Sequence, residues 1–117
     1  KMINNKALLM GVGIFLLAHI ITWFQLNGQF FSEWFKNNNF ILALFGIPIS
    51  YLYIYGTRYC YSGFNGLLWP GRFIGFAVGM VVFSLLTSFI MNEGITGKTG
   101  ISLILSLALV SVQILWK

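Results

Sequence analysis

Residues 7–24 read ALLMGVGIFLLAHIITWF, and their only titratable side chain is His19. As an α-helix this segment would be about 27 Å long, close to the roughly 30 Å hydrocarbon core of a bilayer. Further apolar segments follow it, so we interpret it as a retained helix and not as a cleaved signal peptide. The segment therefore predicts a transmembrane helix.

The composition of the whole chain also favours a membrane protein. Of its 117 residues, 58% are hydrophobic and 8% are charged, whereas a soluble domain has roughly 25% charged residues. Two acids and seven bases are too few to cover a water-facing surface. The bases are scattered singly, without the basic stripe that binds a phosphate backbone, so no nucleic-acid partner is expected. The expected partner is the lipid bilayer.

Three more apolar segments resemble residues 7–24. They cover approximately 40–55, 73–91 and 101–116, and the first of them is short for a membrane span. Their apolar runs are continuous, without the alternation that marks a transmembrane strand. Because every backbone amide in lipid needs an internal partner, the segments predict helices. We expect an all-α protein with one domain over 1–117, an integral membrane four-helix bundle in which a short turn joins the last two helices.

The connection between the first two spans is rich in aromatic residues. Within 29–38 the aromatic side chains recur at helical spacing, which predicts a short helix lying in the membrane interface; an ordinary aromatic-rich loop is the alternative. Large aromatic rings favour headgroup depth. The expected interfacial anchors are Trp23, Phe30, Phe31, Trp34, Phe35 and Trp69.

The basic residues predict an orientation. With four spans, one side of the membrane carries five of the seven bases and no acid: Lys1, Lys6, Arg58, Arg72 and Lys117. The other side carries Lys36 and Lys98 with Glu33 and Glu93. Because basic loops stay on the cytoplasmic side, both termini are predicted to be cytoplasmic. Without the two terminal lysines the bases would divide three to two.

Four residues are candidates for a substrate path. His19 lies near the middle of the first span, where an ionisable group suggests a role in binding or transport; a neutral histidine bonded to a hydroxyl or carbonyl is the alternative. Pro48 removes a backbone donor from the second span and frees the carbonyl of Leu44, so a kink is expected there. Such a break can line a path or serve packing. Tyr51 and Tyr55 follow on the same helix and complete the set.

Small residues form two candidate packing faces. Gly71, Gly75 and Gly79 recur every four residues in the third span, and Ser102 and Ser106 do so in the fourth. Small residues allow close helix approach, on which association in lipid depends. The partner helix can belong to this chain or to a second subunit, and we expect a homo-oligomer or a subunit of a membrane complex.

Catalytic chemistry has no candidates in the sequence. There is no carboxylate pair, histidine cluster, nucleophile with a recognisable base or phosphate-binding glycine loop. A single cysteine, Cys60, cannot form an internal disulfide. We therefore expect no enzyme activity, no cofactor and no metal.

The last two spans resemble the drug/metabolite transporter superfamily, in particular its four-helix small multidrug resistance branch. The resemblance rests on WPGRFIGFAVG at 69–79 and on MNEGITGKTGI at 91–101, where an acid and a short turn precede a helix of small residues. It implies a small four-helix transporter. That branch has an essential carboxylate in its first helix, where this chain has His19. A protonated histidine would repel a cation, so proton-coupled cation export is not expected.

Two principal functions remain open from the sequence. The first is a transporter-like protein that binds or moves a small solute as an oligomer. The second is a non-transporting structural or accessory subunit of a larger complex or envelope. A wet cavity that reaches His19 would favour the first, and a dry interior with His19 bonded to a hydroxyl would favour the second. A channel with a ring of His19 side chains is a third possibility.

Overall fold

The regular structure is entirely helical over residues 4–116, the part of the chain that the computed structural model describes. The predicted all-α class is therefore confirmed. A 3-10 turn, Gly28–Phe30, follows the first helix. The α-helices in chain order are α1 (Asn5–Asn27), α2 (Glu33–Asn37), α3 (Asn39–Leu44), α4 (Gly46–Gly63), α5 (Trp69–Ile90) and α6 (Gly97–Leu115).

Four helical segments are long and apolar enough to cross a membrane. They are Asn5–Phe30, Asn39–Gly63, Trp69–Ile90 and Gly97–Leu115. Each contains one of the four predicted spans almost entirely, so the predicted number of membrane-length helices is confirmed. Lys1 and Lys117, which contribute to the predicted charge division, lie outside the described residues.

The second segment differs from the prediction in length and is interrupted. It continues past Tyr55, where the predicted span ends, to Gly63, so the loop before α5 covers only 64–68. Its helix breaks at Phe45, just before Pro48, whose missing N–H leaves a carbonyl in the preceding turn without a helical donor. The extension to Gly63 has a tertiary cause, because the glycines that disfavour an isolated helix pack closely against α1.

Helix α1 lies between α4 and α5. It runs antiparallel to α4, since the N–H of Asn4 donates to the carbonyl of Gly63 at 3.0 Å. It runs parallel to α5, which packs beside it from Gly75 to Thr87. Helix α6 packs mainly along α5 and is largely exposed on its remaining surface. The result is a flattened molecule with α6 at its edge.

The predicted helix over 29–38 is divided into short pieces. Ser32 is extended, with φ −140° and ψ 124°, and it separates the turn at Gly28–Phe30 from α2. The ring of Phe35 lies against Gly28, where a side chain would have no room. This contact folds α2 back onto the end of α1.

Candidate functional site

Close packing of glycines brings α4 against α1. A Cβ atom added at Gly11 would lie 2.7 Å from Cys60 Sγ and 3.2 Å from the carbonyl oxygen of Gly56. A Cβ at Gly56 would lie 2.8 Å from the ring of Phe15. The absence of side chains at these positions lets the two helices meet at backbone distance, in the manner of small-residue helix pairs in membranes. The contact fixes one wall of the site.

The glycine face of α5 packs on α1 and α4 of the same chain. Gly71 lies beside Cys60, Gly75 beside Phe15 and Gly79 beside His19. A Cβ at Gly79 would be 2.8 Å from the His19 ring. The predicted packing residues of the third span therefore have an intramolecular partner, which leaves this face unavailable to a second subunit.

A groove of about 940 Å³ opens between α1, α4 and the first half of α5. Trp69 and Arg72 line it at the start of α5, and Phe83 lines it further along the same helix. His19 and Tyr53 form part of its wall in the middle of the molecule. The groove is partly open to the outside and is lined mostly by apolar and aromatic side chains.

Both ring nitrogens of His19 have protein partners. Nε2 lies 3.1 Å from the carbonyl oxygen of Gly75, which can only accept, so Nε2 carries the proton and donates. Nδ1 lies 3.2 Å from the hydroxyl of Tyr53 and, in the neutral ring, accepts from it. The two rings also meet edge to face, with centroids 5.4 Å apart. His19 thus joins α1 to both α4 and α5 at the groove.

The charge in the groove is one-sided. Arg72 is the only charged side chain that lines it within the described part of the chain. The other polar side chains along it are those of Thr57, Tyr53, Tyr61 and His19, and none of them carries a fixed charge. A ligand in the groove would therefore meet a cation at one end and apolar surface along most of its length.

The other predicted path residues do not line this groove. Pro48, Tyr51 and Tyr55 are exposed on the outer surface of the second helical segment, and Tyr55 lies under the guanidinium of Arg58 at 4.8 Å. Tyr53 is the tyrosine that reaches the groove. Residues two apart lie on nearly opposite faces of a helix, so Tyr51 and Tyr55 lie on the outer face of α4 when Tyr53 faces the groove. The sequence did not indicate which tyrosine would be the hydrogen-bond partner of His19.

The expected anchor Trp23 has a different position. Its side chain is only 4% exposed, and its indole N–H donates to Thr87 Oγ1 at 3.0 Å. A buried indole N–H needs an acceptor, and the hydroxyl on α5 provides it. Trp23 is therefore an internal link between α1 and α5. Phe35 is partly buried against Gly28, whereas the remaining expected anchors are exposed: Phe30, Phe31, Trp34 and Trp69.

The serine pair of α6 lies away from the groove. The hydroxyl of Ser102 donates to the carbonyl of Lys98 at 3.1 Å, and that of Ser106 donates to Ser102 at 3.0 Å. Both hydroxyls thus bond within their own helix. Ser102 lines a smaller cleft of about 380 Å³ between α5 and α6, together with Glu93 and Lys98.

No group of three or more histidine, cysteine or acidic residues that could hold a metal ion occurs in residues 4–116. Comparison with protein-family models, curated proteins and solved structures finds no match for the chain. The arguments about function therefore depend on the groove and on the surface of the helices.

Proposed function

We propose that the chain is an integral membrane protein with four transmembrane helices. Its four apolar segments have membrane length, and large apolar side chains remain exposed along all of them. On α6, for example, Ile104, Leu107 and Leu115 are each more than half exposed. Continuous apolar surface of this extent is poorly tolerated in water and suits a lipid environment.

The proposed orientation has both termini in the cytoplasm. The contact between Asn4 and Gly63 and that between Cys60 and Gly71 bring together the start of α1, the end of α4 and the start of α5. Lys6, Arg58 and Arg72 belong to these helix ends, and the positive-inside tendency favours the cytoplasm for that side.

The function we propose is transporter-like binding or movement of a small solute in the groove. The observation that carries this proposal is the groove of about 940 Å³, which extends along α5 from Arg72 past His19 and is partly open to the outside. Ligand sites between helices commonly have this size and an apolar lining with a few polar groups. We also propose relationship to the drug/metabolite transporter superfamily, without its cation chemistry, because no acid of residues 4–116 lines the groove.

Flux into liposomes tests the transport function. Purified protein is reconstituted and exposed to anionic, cationic, zwitterionic and neutral solutes; we expect uptake of at least one class. Phe76 lines the groove, whereas Phe89 is 79% exposed and lies outside it. Phe76→Trp should change uptake, and the matched Phe89→Trp should not. Absence of both flux and binding for every class, in a monodisperse preparation, would overturn the proposal.

An accessory or structural membrane subunit is the second candidate. The hydrogen bonds of both His19 nitrogens favour it, because a histidine satisfied by Gly75 and Tyr53 needs no solute to bond with. The exposed surface of α6, including Ser102, would then contact a second copy or another subunit. Two results together would favour this alternative: no flux of any solute, and a constant oligomeric state in membranes.

A further inference from the structure

Aromatic side chains form a ladder along the groove side of α5. Phe73, Phe76 and Phe83 all line the groove, and Met80 completes the row between them. Their spacing of three or four residues places them on one helix face. The ladder begins next to Arg72 and ends one turn beyond Gly79, which lies against the His19 ring. The charged end of the groove and its apolar lining therefore follow one another along a single helix.

The length of the ladder corresponds to one leaflet of a bilayer. From Arg72 to Phe83 the helix rises about 16 Å at about 1.5 Å per residue. Half of a hydrocarbon core of roughly 30 Å is about 15 Å. A chain that entered the groove from the membrane surface would therefore end near His19, in the middle of the bilayer.

The charges select the headgroup of such a chain. Arg72 has an exposed guanidinium at the start of the ladder, and among the residues described no acid lines the groove to neutralise it. Guanidinium groups bind phosphate and carboxylate oxygens through paired, charge-assisted hydrogen bonds. A cationic headgroup at the same position would be repelled.

We propose that the groove binds an anionic lipid of the adjoining leaflet, with its phosphate or carboxylate at Arg72 and one apolar chain along the ladder of Phe73, Phe76, Met80 and Phe83. This inference rests on the proposed use of the groove as a solute site and names its ligand class. The groove is partly open to the outside, and in this proposal the lipid chain enters from the bilayer through that opening. His19 and Tyr53, already bonded to each other, form the floor where the chain ends.

Photocrosslinking with a single-chain analogue tests the proposal. The probe is tetradecyl phosphate with a diazirine at the end of its chain, added to the protein in phosphatidylcholine nanodiscs. We expect mass spectrometry to find crosslinks concentrated at residues 79–83 of α5 and at His19. Unlabelled tetradecyl phosphate should compete, whereas tetradecyltrimethylammonium and inorganic phosphate should not, because each lacks either the anionic head or the apolar chain.

A matched pair of arginine variants separates specific binding from general attraction to a basic surface. Arg72→Gln should weaken competition by tetradecyl phosphate about tenfold or more, the effect of losing one charge-assisted hydrogen bond. Arg58→Gln, which changes an arginine on the outer face of α4, should leave it unaltered. The melting temperature of each variant in detergent verifies folding.

The outcomes distinguish this inference from the transport proposal. Competition by the ammonium compound at equal or lower concentration would overturn the anionic class and leave solute binding in the groove intact. Crosslinks spread evenly over α5 and α6, without competition, would overturn the lipid site, and the flux measurements would still decide transport. Site-specific crosslinks without flux for any solute would support the lipid site and reject transport.

Discussion

Two buried hydroxyl groups of the same residue type have different environments. Thr87 Oγ1 accepts from the Trp23 indole at 3.0 Å and so connects α5 to α1. Thr22 Oγ1 is buried and has no hydrogen-bond partner among the residues described. Burying a polar group without a partner destabilises the fold, because the group loses its hydrogen bonds to water. A hydrogen bond to a protein partner offsets most of that desolvation free energy. The Thr87 hydroxyl therefore links α5 to α1, whereas the Thr22 hydroxyl makes no such link.

Replacement of each threonine by valine, which has nearly the same shape, should reveal this difference. Thr87→Val leaves the indole N–H of Trp23 unpaired and should destabilise the fold by about 1–3 kcal/mol. Thr22→Val removes an unpaired hydroxyl and should be neutral or stabilising. Thermal unfolding in detergent, followed by circular dichroism, measures both. Equal loss of stability in the two variants would contradict the assignment of the hydrogen bond.

At the level of helices, two glycines of α1 have different roles although they are close in sequence. Gly11 faces the backbone of α4, where an added Cβ would lie 3.2 Å from the Cys60 nitrogen and from the Gly56 oxygen. Backbone atoms cannot rotate away as a side chain can. Gly13 faces open space: beyond its own helix turn, no atom of residues 4–116 lies within 4 Å of an added Cβ. Only Gly11 is required by the packing of α1 on α4.

Alanine at each position tests the importance of this helix pair. Gly11→Ala should separate α1 from α4 and lower the unfolding free energy by about 1–3 kcal/mol, the usual range for overpacking. Gly13→Ala should raise helix stability by up to about 1 kcal/mol, because alanine is the better helix former. Titration with sodium dodecyl sulfate, read by tryptophan fluorescence, compares the two. A stabilising Gly11→Ala would mean that the helices do not meet as described.

The loops before and after α5 lie at opposite ends of the molecule. The loop over 64–68 lies with the start of α1, and the loop over 91–96 lies at the far end of α5. Helix α6 is the least buried of the four long helical segments, which leaves its surface free for lipid or for a second copy of the chain. A four-span orientation places the two loops on opposite sides of the membrane.

Labelling from outside intact cells tests the orientation. In a Cys60→Ala background, Ser62→Cys, next to the loop over 64–68, should resist a membrane-impermeant maleimide. Gly94→Cys, in the loop over 91–96, should react. Both positions are exposed, so the membrane alone distinguishes them. Permeabilised cells should label both variants equally, as a control. Reaction of Ser62→Cys and protection of Gly94→Cys in intact cells would reverse the orientation.

The sequence by itself determined the helical class and the four apolar segments. Both follow from the length of uninterrupted apolar runs, which is a local property: residues 7–24 are long enough to predict their helix without knowledge of any neighbour. The helix break near Pro48 was predictable for the same reason, since proline lacks a donor wherever it lies in a helix.

Only the tertiary structure decided which faces of those helices meet. Gly56 and Gly63 lie beyond the predicted span over 40–55, yet they are helical where α1 packs on them. Tyr53 became the partner of His19, and Trp23 the partner of Thr87, through contacts between residues far apart in the chain. Apolar segments with apolar residues on all sides give no periodic signal for a buried face, so this information is absent until the helices are packed.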